Sequence, residues 1–241
     1  MTRNGGHPRP RFELRAVPKP GGGQRWLADL DRPTDRRYRV AVAPVVARIE
    51  RSLDPGVLAN RVGPGGRLRP CCRARRAWWR ALGRATTGPH TVITSDVAAC
   101  YDSIGADAVG EALATIGAPE ARTRAIHRQL MAVRREGLRG LPVGPDASAI
   151  LANAVLAAGD RAVRHAGGGI LRWVDDVAII GPDRRTAVRA FDAWVVALRH
   201  AGLAPHDGKT HMLCSDDRLE VLPRTRLSSC GTNTRAMMPA P

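Results

Sequence analysis

The stretch ILRWVDDVAII, residues 170–180, sets two adjacent acids between two apolar runs. Both runs are rich in β-branched and aromatic residues, a composition typical of buried strands. A two-residue hairpin turn favours glycine because its central residues need positive φ, and Asp175–Asp176 contains none. Two carboxylates about 4 Å apart repel by on the order of 4 kcal/mol at an effective dielectric of roughly 20. The pair is therefore either a solvated surface turn or a cation site, and a cation site needs a third carboxylate.

The composition favours a polyanionic partner. Lys and Arg number 38 against 22 Asp and Glu, a formal net charge of +16 over 241 residues, which favours nucleic acid first and an anionic membrane second. No apolar run reaches the roughly 18 residues of a membrane span, and the N-terminus lacks the apolar core of a secretory signal, so we predict no membrane partner. Five cysteines without CxxC spacing favour a reduced, cytoplasmic protein.

Strands and helices alternate along the chain. This order predicts an α/β or α+β sheet with helices packed on one face. Asp96 is the candidate third carboxylate, because it follows the β-branched run TVIT and so lies near a strand end. Of the 38 basic residues only Lys19 and Lys209 are lysines, leaving 38 − 2 = 36 arginines. Lysine can lose its proton and arginine cannot, so these two positions are candidates for proton chemistry, although chance could also place them.

These residues belong to an ordered set of motifs that resembles the prokaryotic reverse transcriptases, the class of retron, group II intron and defence-associated enzymes. Each motif alone is weak, and their order along residues 17 to 213 makes the set specific. The motifs are Lys19 and Arg25 on a Gly-rich hairpin; Asp96 with Tyr101; Leu141, Pro142, Gly144 and Ser148 in a loop; Trp173, Val174, Asp175 and Asp176 in a hairpin; and Gly202, Leu203, Lys209 and Thr210. Val143 and Trp173 depart from the Gln and the Tyr or Phe usual in the family.

The resemblance implies an α+β fold of the right-hand polymerase type. The expected palm is a ferredoxin-like antiparallel sheet with helices on one face, joined to fingers. Because only 241 − 209 = 32 residues follow Lys209, we expect the thumb to be absent or vestigial. The predicted division is a basic disordered tail at 1–12, a fingers-like region at 13–90, a catalytic palm at 91–222 and a disordered tail at 223–241.

The resemblance also implies two-metal nucleotidyl transfer with Mg²⁺. Two ions about 4 Å apart can activate an attacking 3′-oxygen and stabilise the leaving pyrophosphate. Mg²⁺ prefers carboxylate, carbonyl and water oxygens, and it uses few protein ligands. By resemblance, Asp96 and Asp175 bridge the ions, Asp176 supports them, and the Val97 carbonyl adds a ligand. Such cations would relieve the repulsion between the adjacent acids.

The remaining site residues are expected to bind the nucleotide and primer. Lys19 and Arg25 would clamp the triphosphate, unless they are a solvated pair in a loop. Tyr101 would exclude a 2′-hydroxyl, or simply pack in the core. Gly144 and Trp173 would lie near the incoming nucleotide and the primer terminus. Lys209 would protonate pyrophosphate, or act only as a charge.

A basic segment is expected to contact the template. Its phosphate-binding candidates, which could instead form a solvated helix face, are Arg67, Arg69, Arg73, Arg75, Arg76 and Arg80. The expected partners are an RNA template, a DNA or RNA primer, dNTPs, and a structured non-coding RNA or a protein that replaces the thumb. Two alternatives stay open at this point: a non-catalytic nucleic-acid-binding remnant, and a template-independent or RNA-copying polymerase on the same palm.

Overall fold

The computed structural model describes residues 9–19 and 22–213. The strands are β1 (Phe12–Pro18), β2 (Gln24–Leu30), β3 (Thr91–Asp96), β4 (Gly169–Trp173), β5 (Asp176–Gly181) and β6 (His211–Leu213). The α-helices are α1 (Arg32–Val42), α2 (Val46–Ser52), α3 (Cys71–Thr87), α4 (Cys100–Ser103), α5 (Ala106–Thr115), α6 (Glu120–Arg135), α7 (Asp146–His165) and α8 (Arg184–His200). Short 3-10 turns occupy Ala43–Val45, Pro64–Gly66 and Asp207–Lys209.

Four strands form the central antiparallel sheet, in the order β4-β5-β3-β6. β3 pairs with β5 from Thr91 opposite Gly181 to Asp96 opposite Asp176. β4 pairs with the other edge of β5 as far as Trp173 opposite Asp176. Because side chains alternate across a strand, each paired row contributes to one face of the sheet. The α+β fold class with an antiparallel sheet is confirmed.

One face of this sheet packs on α7 and α8. Residues 147–157 of α7 are all buried, since they are mostly small or aliphatic and can be surrounded on every side. α8 presents a stripe at helical spacing, formed by Ala187, Ala190, Trp194 and Leu198. A Cβ on Gly159 would lie 2.7 Å from the Trp194 ring, so α7 and α8 approach too closely there for a side chain. No helix in the described ranges is long and apolar enough to cross a bilayer.

The opposite face of the sheet is also covered in part, which the expectation of helices on one face did not include. α3 packs Trp78, Leu82 and Ala85 against Val92 of β3 and Ala178 of β5. These three helical residues follow the spacing of one helix face, and the strand residues alternate with those that point to α7. The second helical contact buries apolar surface that would otherwise meet water.

The predicted pair of strands around a Gly-rich turn is the β1–β2 hairpin. Its backbone is tied to the loop before α7, because the Ala28 amide donates to the Val143 carbonyl at 2.8 Å. Asp31 then caps α1 by accepting from the Thr34 amide at 2.9 Å. The hairpin is thereby fixed beside the start of α7.

Residues 1–8 and 214–241 lie outside the described residues. The predicted C-terminal tail and most of the predicted N-terminal tail fall in these two segments. Phe12, assigned to the basic tail, is the first residue of β1. The predicted boundary after residue 90 falls where β3 begins. The division into fingers and palm stays a prediction.

Candidate active site

The site is built where β3 ends and β5 begins. Asp96 is the last residue of β3 and Asp176 is the first of β5, and the two are direct cross-strand partners. Directly opposed residues have Cβ atoms about 4.5–5.5 Å apart and point to the same face. The strand pairing therefore brings together two of the three predicted acids.

Asp175 lies in the turn between β4 and β5. Because Trp173 pairs with Asp176, the two turn residues are Val174 and Asp175. The prediction of an Asp175–Asp176 turn was wrong by one residue. Val174 takes the positive φ of 57°, and such a conformation costs a β-branched residue on the order of 1–3 kcal/mol. The Asp175 carbonyl accepts from the Val97 amide at 3.2 Å, which ties the turn to the end of β3.

The three carboxylates share one electrostatic environment. Burial and then the charge of Asp96 raise the pKa of Asp175, against opposing contributions from Arg25 and Lys209. Loss of surrounding water, and then the charges of Asp175 and Asp96, raise the pKa of Asp176 to about 6. Asp176 as a whole residue is exposed, so solvent screens part of this repulsion. Asp175 and Asp176 are therefore close enough to Asp96 for its charge to disfavour their ionised forms.

Lys209 neutralises one member of the group. Its Nζ donates to Asp96 Oδ2 at 2.7 Å, with the lysine side chain 55% exposed and the aspartate side chain 10% exposed. This hydrogen bond raises the pKa of Lys209. The His206 amide also donates to the Asp96 carbonyl at 2.7 Å, which holds the segment carrying Lys209 against the strand end. In this structure Lys209 is the counter-ion of Asp96.

Arg25 and Lys19 are the two residues predicted to clamp the triphosphate. Arg25 interacts electrostatically with Asp175, whereas no such interaction joins Lys19 to the acids among the described residues. Arg25, on β2, partly offsets the rise that burial causes in the pKa of Asp175 and of Tyr101. Lys19 lies exposed in the hairpin turn, where its backbone bonds to Gly23. The lone lysines thus differ: the structure places only Lys209 at the acids.

Tyr101 lies in α4, directly after the strand that ends at Asp96. It is half-buried and packs against the main core, and burial raises the pKa of its hydroxyl. Its carbonyl accepts from the Leu141 amide at 2.8 Å. Gly140 permits this approach, because a Cβ there would collide with the Tyr101 carbonyl and φ is +59°. Both the packing and the sugar-selecting interpretation of Tyr101 remain compatible with this position.

The loop that leads into α7 lies beneath the hairpin. Gly144 has a φ of +129°, and a Cβ there would lie 3.7 Å from the Ala28 carbonyl of β2. Four residues later, the Ser148 hydroxyl is fully buried and bonds to the Tyr38 hydroxyl at 3.1 Å. This loop motif joins the hairpin to the core, and the nucleotide-binding role of Gly144 stays a prediction.

The predicted arginine segment divides into one residue at the site and several outside it. Arg75 is half-buried, with its guanidinium carbon 6.0 Å from the centre of the Trp173 ring, and its charge partly offsets the rise in the pKa of Asp176. Trp173 itself packs against the cluster beneath α3. The other members are exposed, and they are Arg67, Arg69, Arg73, Arg76 and Arg80.

One group of buried polar residues escaped the sequence analysis. Arg172 of β4, with Asn153 and Asp160 of α7, lies fully inside the protein. The available signal was an arginine at an inward position of a strand, together with an Asn and an Asp seven residues apart in an otherwise apolar helix. Charge alone predicts exposed positions for such residues, so the sequence does not reveal this buried group.

The donor set fits magnesium by its chemistry. Asp96, Asp175 and Asp176 supply the carboxylate oxygens that Mg²⁺ prefers, and burial followed by repulsion from the neighbouring acids raises the pKa of Asp175 and Asp176. As the side chains stand, no group of three acids, histidines or cysteines in the described ranges is arranged to hold a metal ion. One Asp96 oxygen is bonded to Lys209 instead. The metal site therefore stays a prediction.

The raised pKa of Asp176 predicts that the ionised carboxylate lowers the unfolding free energy of the metal-free protein at neutral and higher pH. A carboxyl whose pKa rises from near 4 to about 6 on folding stabilises the fold below pH 4, and this stabilisation is lost as the pH rises through 6. We expect Asp176→Asn to raise the unfolding free energy by about 1 kcal/mol at pH 8, after allowance for solvent screening. Denaturant unfolding in EDTA should show this gain shrinking toward zero by pH 4. A gain of equal size at both pH values would contradict the electrostatic origin.

Comparisons with known proteins support the fold and the family. The solved structure of apo telomerase from Candida tropicalis truncated from its C-terminal domain matches at 16% identity and a TM-score of 0.53, over 83% of this chain and 49% of that one. Telomerase from the same organism in complex with the TWJ fragment of telomeric RNA matches at 16% identity and a TM-score of 0.57, over 83% and 40%. The corresponding complex from Candida albicans matches at 13% identity and a TM-score of 0.54, over 85% of this chain and 41% of that one.

At these identities the likeness shows the fold alone, and the chain spans less than half the length of the telomerase chains that it matches. No curated protein matches the sequence. Residues 17–226, which include all three acids and both lysines, match the family described as reverse transcriptase (RNA-dependent DNA polymerase). Since that match covers far more than half of the 241 residues, the chain belongs to the reverse transcriptase family.

Proposed function

We propose that the chain is an RNA-directed DNA polymerase that extends a primer with dNTPs by two-metal nucleotidyl transfer. The observation that carries this proposal is the cross-strand pairing of Asp96 with Asp176, next to a turn that holds Asp175. Within the described ranges Lys209 pairs with Asp96 alone, so Asp175 and Asp176 destabilise the fold unless a further cation compensates them, and a purely structural role gives no reason for the arrangement.

Asp96, Asp175, Asp176 and the Val97 carbonyl would hold two Mg²⁺ ions. When bound, these supply Lewis-acid stabilisation of the attacking and leaving oxygens. Lys209 would either protonate the departing pyrophosphate or balance charge beside Asp96. Arg25, with its bidentate fork near Asp175, would orient the triphosphate together with Lys19.

Three further residues would shape the substrate pocket. Tyr101 would exclude a 2′-hydroxyl on the sugar of the incoming nucleotide, because it follows the strand that carries Asp96 and interacts electrostatically with Asp175 and Arg25. Gly144 would leave room beneath the hairpin for the nucleotide. Trp173, paired with Asp176, would contact the primer terminus.

The proposal extends to the prokaryotic, retron-like, group II intron-like or defence-associated type and to a cytoplasmic enzyme. Two of the similar telomerases were solved with a fragment of telomeric RNA. For this chain we propose an RNA template, a DNA or RNA primer, and a structured RNA or protein partner. The net charge of +16 favours such polyanionic partners.

Primer extension on defined templates tests this function. The full chain is incubated with Mg²⁺ and a DNA primer annealed to RNA, with an unannealed primer as the second substrate, and with either dNTPs or NTPs. Template-dependent dNTP incorporation is the expected result. Extension of the unannealed primer would favour a template-independent polymerase, and NTP incorporation would favour an RNA-copying one. Binding with no incorporation, with or without added cellular RNA, would favour a non-catalytic remnant.

The exposed arginines of α3 predict the salt dependence of binding. We expect log affinity for an RNA–DNA duplex to fall linearly with log salt, with a slope of roughly −0.7 to −0.9 per phosphate neutralised. Arg73→Glu with Arg76→Glu should flatten the slope by about 1.4 to 1.8, because two phosphate contacts are lost. The matched control is Arg184→Glu with Arg185→Glu, which changes the net charge equally on exposed positions of α8. Equal effects from both pairs would mean that α3 contributes only net charge.

A further inference from the structure

Arg172 is a charged residue placed entirely inside the protein. It lies on β4 opposite Val177, so its side chain enters the sheet face that α7 covers. Arg172 is 0% exposed and its partner Asp160 is 1% exposed. Nε lies 2.9 Å from Asp160 Oδ1, and the second terminal nitrogen lies 2.8 Å from Oδ2. A buried ion pair loses its hydration, and removing one partner leaves the other charge uncompensated.

The same guanidinium makes two further hydrogen bonds through its other terminal nitrogen. That nitrogen donates to Asn153 Oδ1 at 2.9 Å and to the Val174 carbonyl at 3.0 Å. Asn153 and Asp160 are seven residues apart, which places them two turns apart on one face of α7. The Arg172 guanidinium is therefore held by two residues of the buried helix α7, in addition to its hydrogen bond with the β4–β5 turn.

The Val174 carbonyl belongs to the strained turn that carries Asp175. Val174 has a φ of 57°, and the next carbonyl, that of Asp175, accepts from the Val97 amide at 3.2 Å. A continuous set of hydrogen bonds thus runs from α7 through Arg172 and the turn to the residue that follows Asp96. A residue held in a sparsely populated conformation persists because its surroundings over-determine it, and Arg172 is such a surrounding group.

We propose that Arg172 is a positioning residue, which locks the Val174–Asp175 turn and so sets the position of Asp175 relative to Asp96. This inference rests on the proposed function for its catalytic consequence, and on the contacts alone for its structural one. Arg172 does not touch substrate, and it acts through the backbone of the turn. A fixed constellation is required because misplacement by about 1 Å can cost on the order of 10²-fold in rate.

A role in stability alone makes a different prediction. If Arg172 served only to fill the core, any change that restored stability would restore activity. Arg172→Met with Asp160→Leu removes both charges and replaces them with apolar side chains, an exchange that is often neutral or stabilising for buried pairs. This double variant cannot donate a hydrogen bond to the Val174 carbonyl. Arg172→Lys keeps the charge opposite Asp160 but lacks the planar fork that reaches three acceptors.

The test combines thermal melting, single-turnover incorporation on a primed RNA template and hydrogen exchange at the Val97 amide. We expect both variants to lose on the order of 10²-fold in the maximal rate, with little change in the dNTP concentration at half-saturation. We expect the double variant to melt near the wild-type temperature. The Val97 amide should exchange at least about tenfold faster in both, while amides of α8 keep their wild-type rates.

The matched control is Arg164→Lys. Arg164 of α7 forms the same kind of fork with Asp54, at 2.6 Å from Nε and 2.8 Å from a terminal nitrogen, and among the described residues its side chain makes no hydrogen bond to the β4–β5 turn. Its variant should keep the wild-type rate and Val97 exchange. A double variant with wild-type rate and exchange would overturn the proposal, and if the double variant fails to fold, Arg172→Lys decides by the same readouts. If the wild type itself incorporates no nucleotide, the proposed function fails and the exchange result alone decides whether Arg172 positions the turn.

Discussion

Asp175→Asn is expected to reduce Mg²⁺-dependent dNTP incorporation by on the order of 10³-fold or more, with nucleic-acid affinity nearly unchanged. Metal ions supply several kcal/mol of transition-state stabilisation, and each 1.36 kcal/mol corresponds to about tenfold in rate. Asparagine keeps the shape of the side chain but removes the charge that would hold the cation. The turn should survive, because its bond from the Val97 amide uses the backbone carbonyl of residue 175.

Single-turnover incorporation on a primed RNA template measures the rate, and a filter or fluorescence titration measures the affinity. Asp192→Asn is the matched control, since it removes the same charge from an exposed position of α8. It should leave both quantities at wild-type values. Full activity of Asp175→Asn alongside an active wild type would make the two-metal mechanism wrong.

The sequence was sufficient to predict the sheet but not the register of its turn. The apolar runs on both sides of the acids, rich in β-branched and aromatic residues, predict two strands of a hairpin, and the run before Asp96 predicts its place at a strand end; the structure confirms both. The turn was assigned to Asp175–Asp176 because turn propensity gives Val174 no advantage there. In the fold, a hydrogen bond from Arg172 holds the Val174 carbonyl, and this contact depends on tertiary structure.

Long-range pairing also explains the other residues that the sequence did not reveal. Arg172 meets Asp160 and Asn153 only after α7 has packed on the sheet, and its charge predicts a surface position. The sequence of α3 predicts a basic helix. In the fold, Trp78 and Leu82 of this helix pack against β3 and β5 and so cover the second face of the sheet. Arg75 likewise differs from its exposed arginine neighbours only because α3 turns it toward Trp173.

The second large effect is expected at Lys209. We expect Lys209→Ala to lower the maximal incorporation rate by on the order of 10²–10⁴-fold, the usual contribution of general acid catalysis. Lys209→Arg should be milder but still slow, because a guanidinium keeps the charge and does not release a proton readily near neutral pH. A wild-type rate for Lys209→Arg would show that Lys209 acts as a point charge and not as an acid.

The ion pair between Lys209 and Asp96 predicts a second effect, on the Mg²⁺ dependence of the rate, in addition to the effect on the maximal rate. Lys209 Nζ donates to an Asp96 oxygen at 2.7 Å, and the hydrogen bond raises the pKa of the ammonium, so the lysine would compete with a metal ion bound at that oxygen. Lys209→Ala should therefore lower the Mg²⁺ concentration at half-maximal rate even as the maximal rate falls. Arg199→Ala is the matched comparison, because it removes one positive charge from an exposed position of α8 and should leave the Mg²⁺ dependence unchanged. A Lys209→Ala enzyme that needs more Mg²⁺ than the wild type would contradict the competition, and would instead assign Lys209 a part in assembling the metal site.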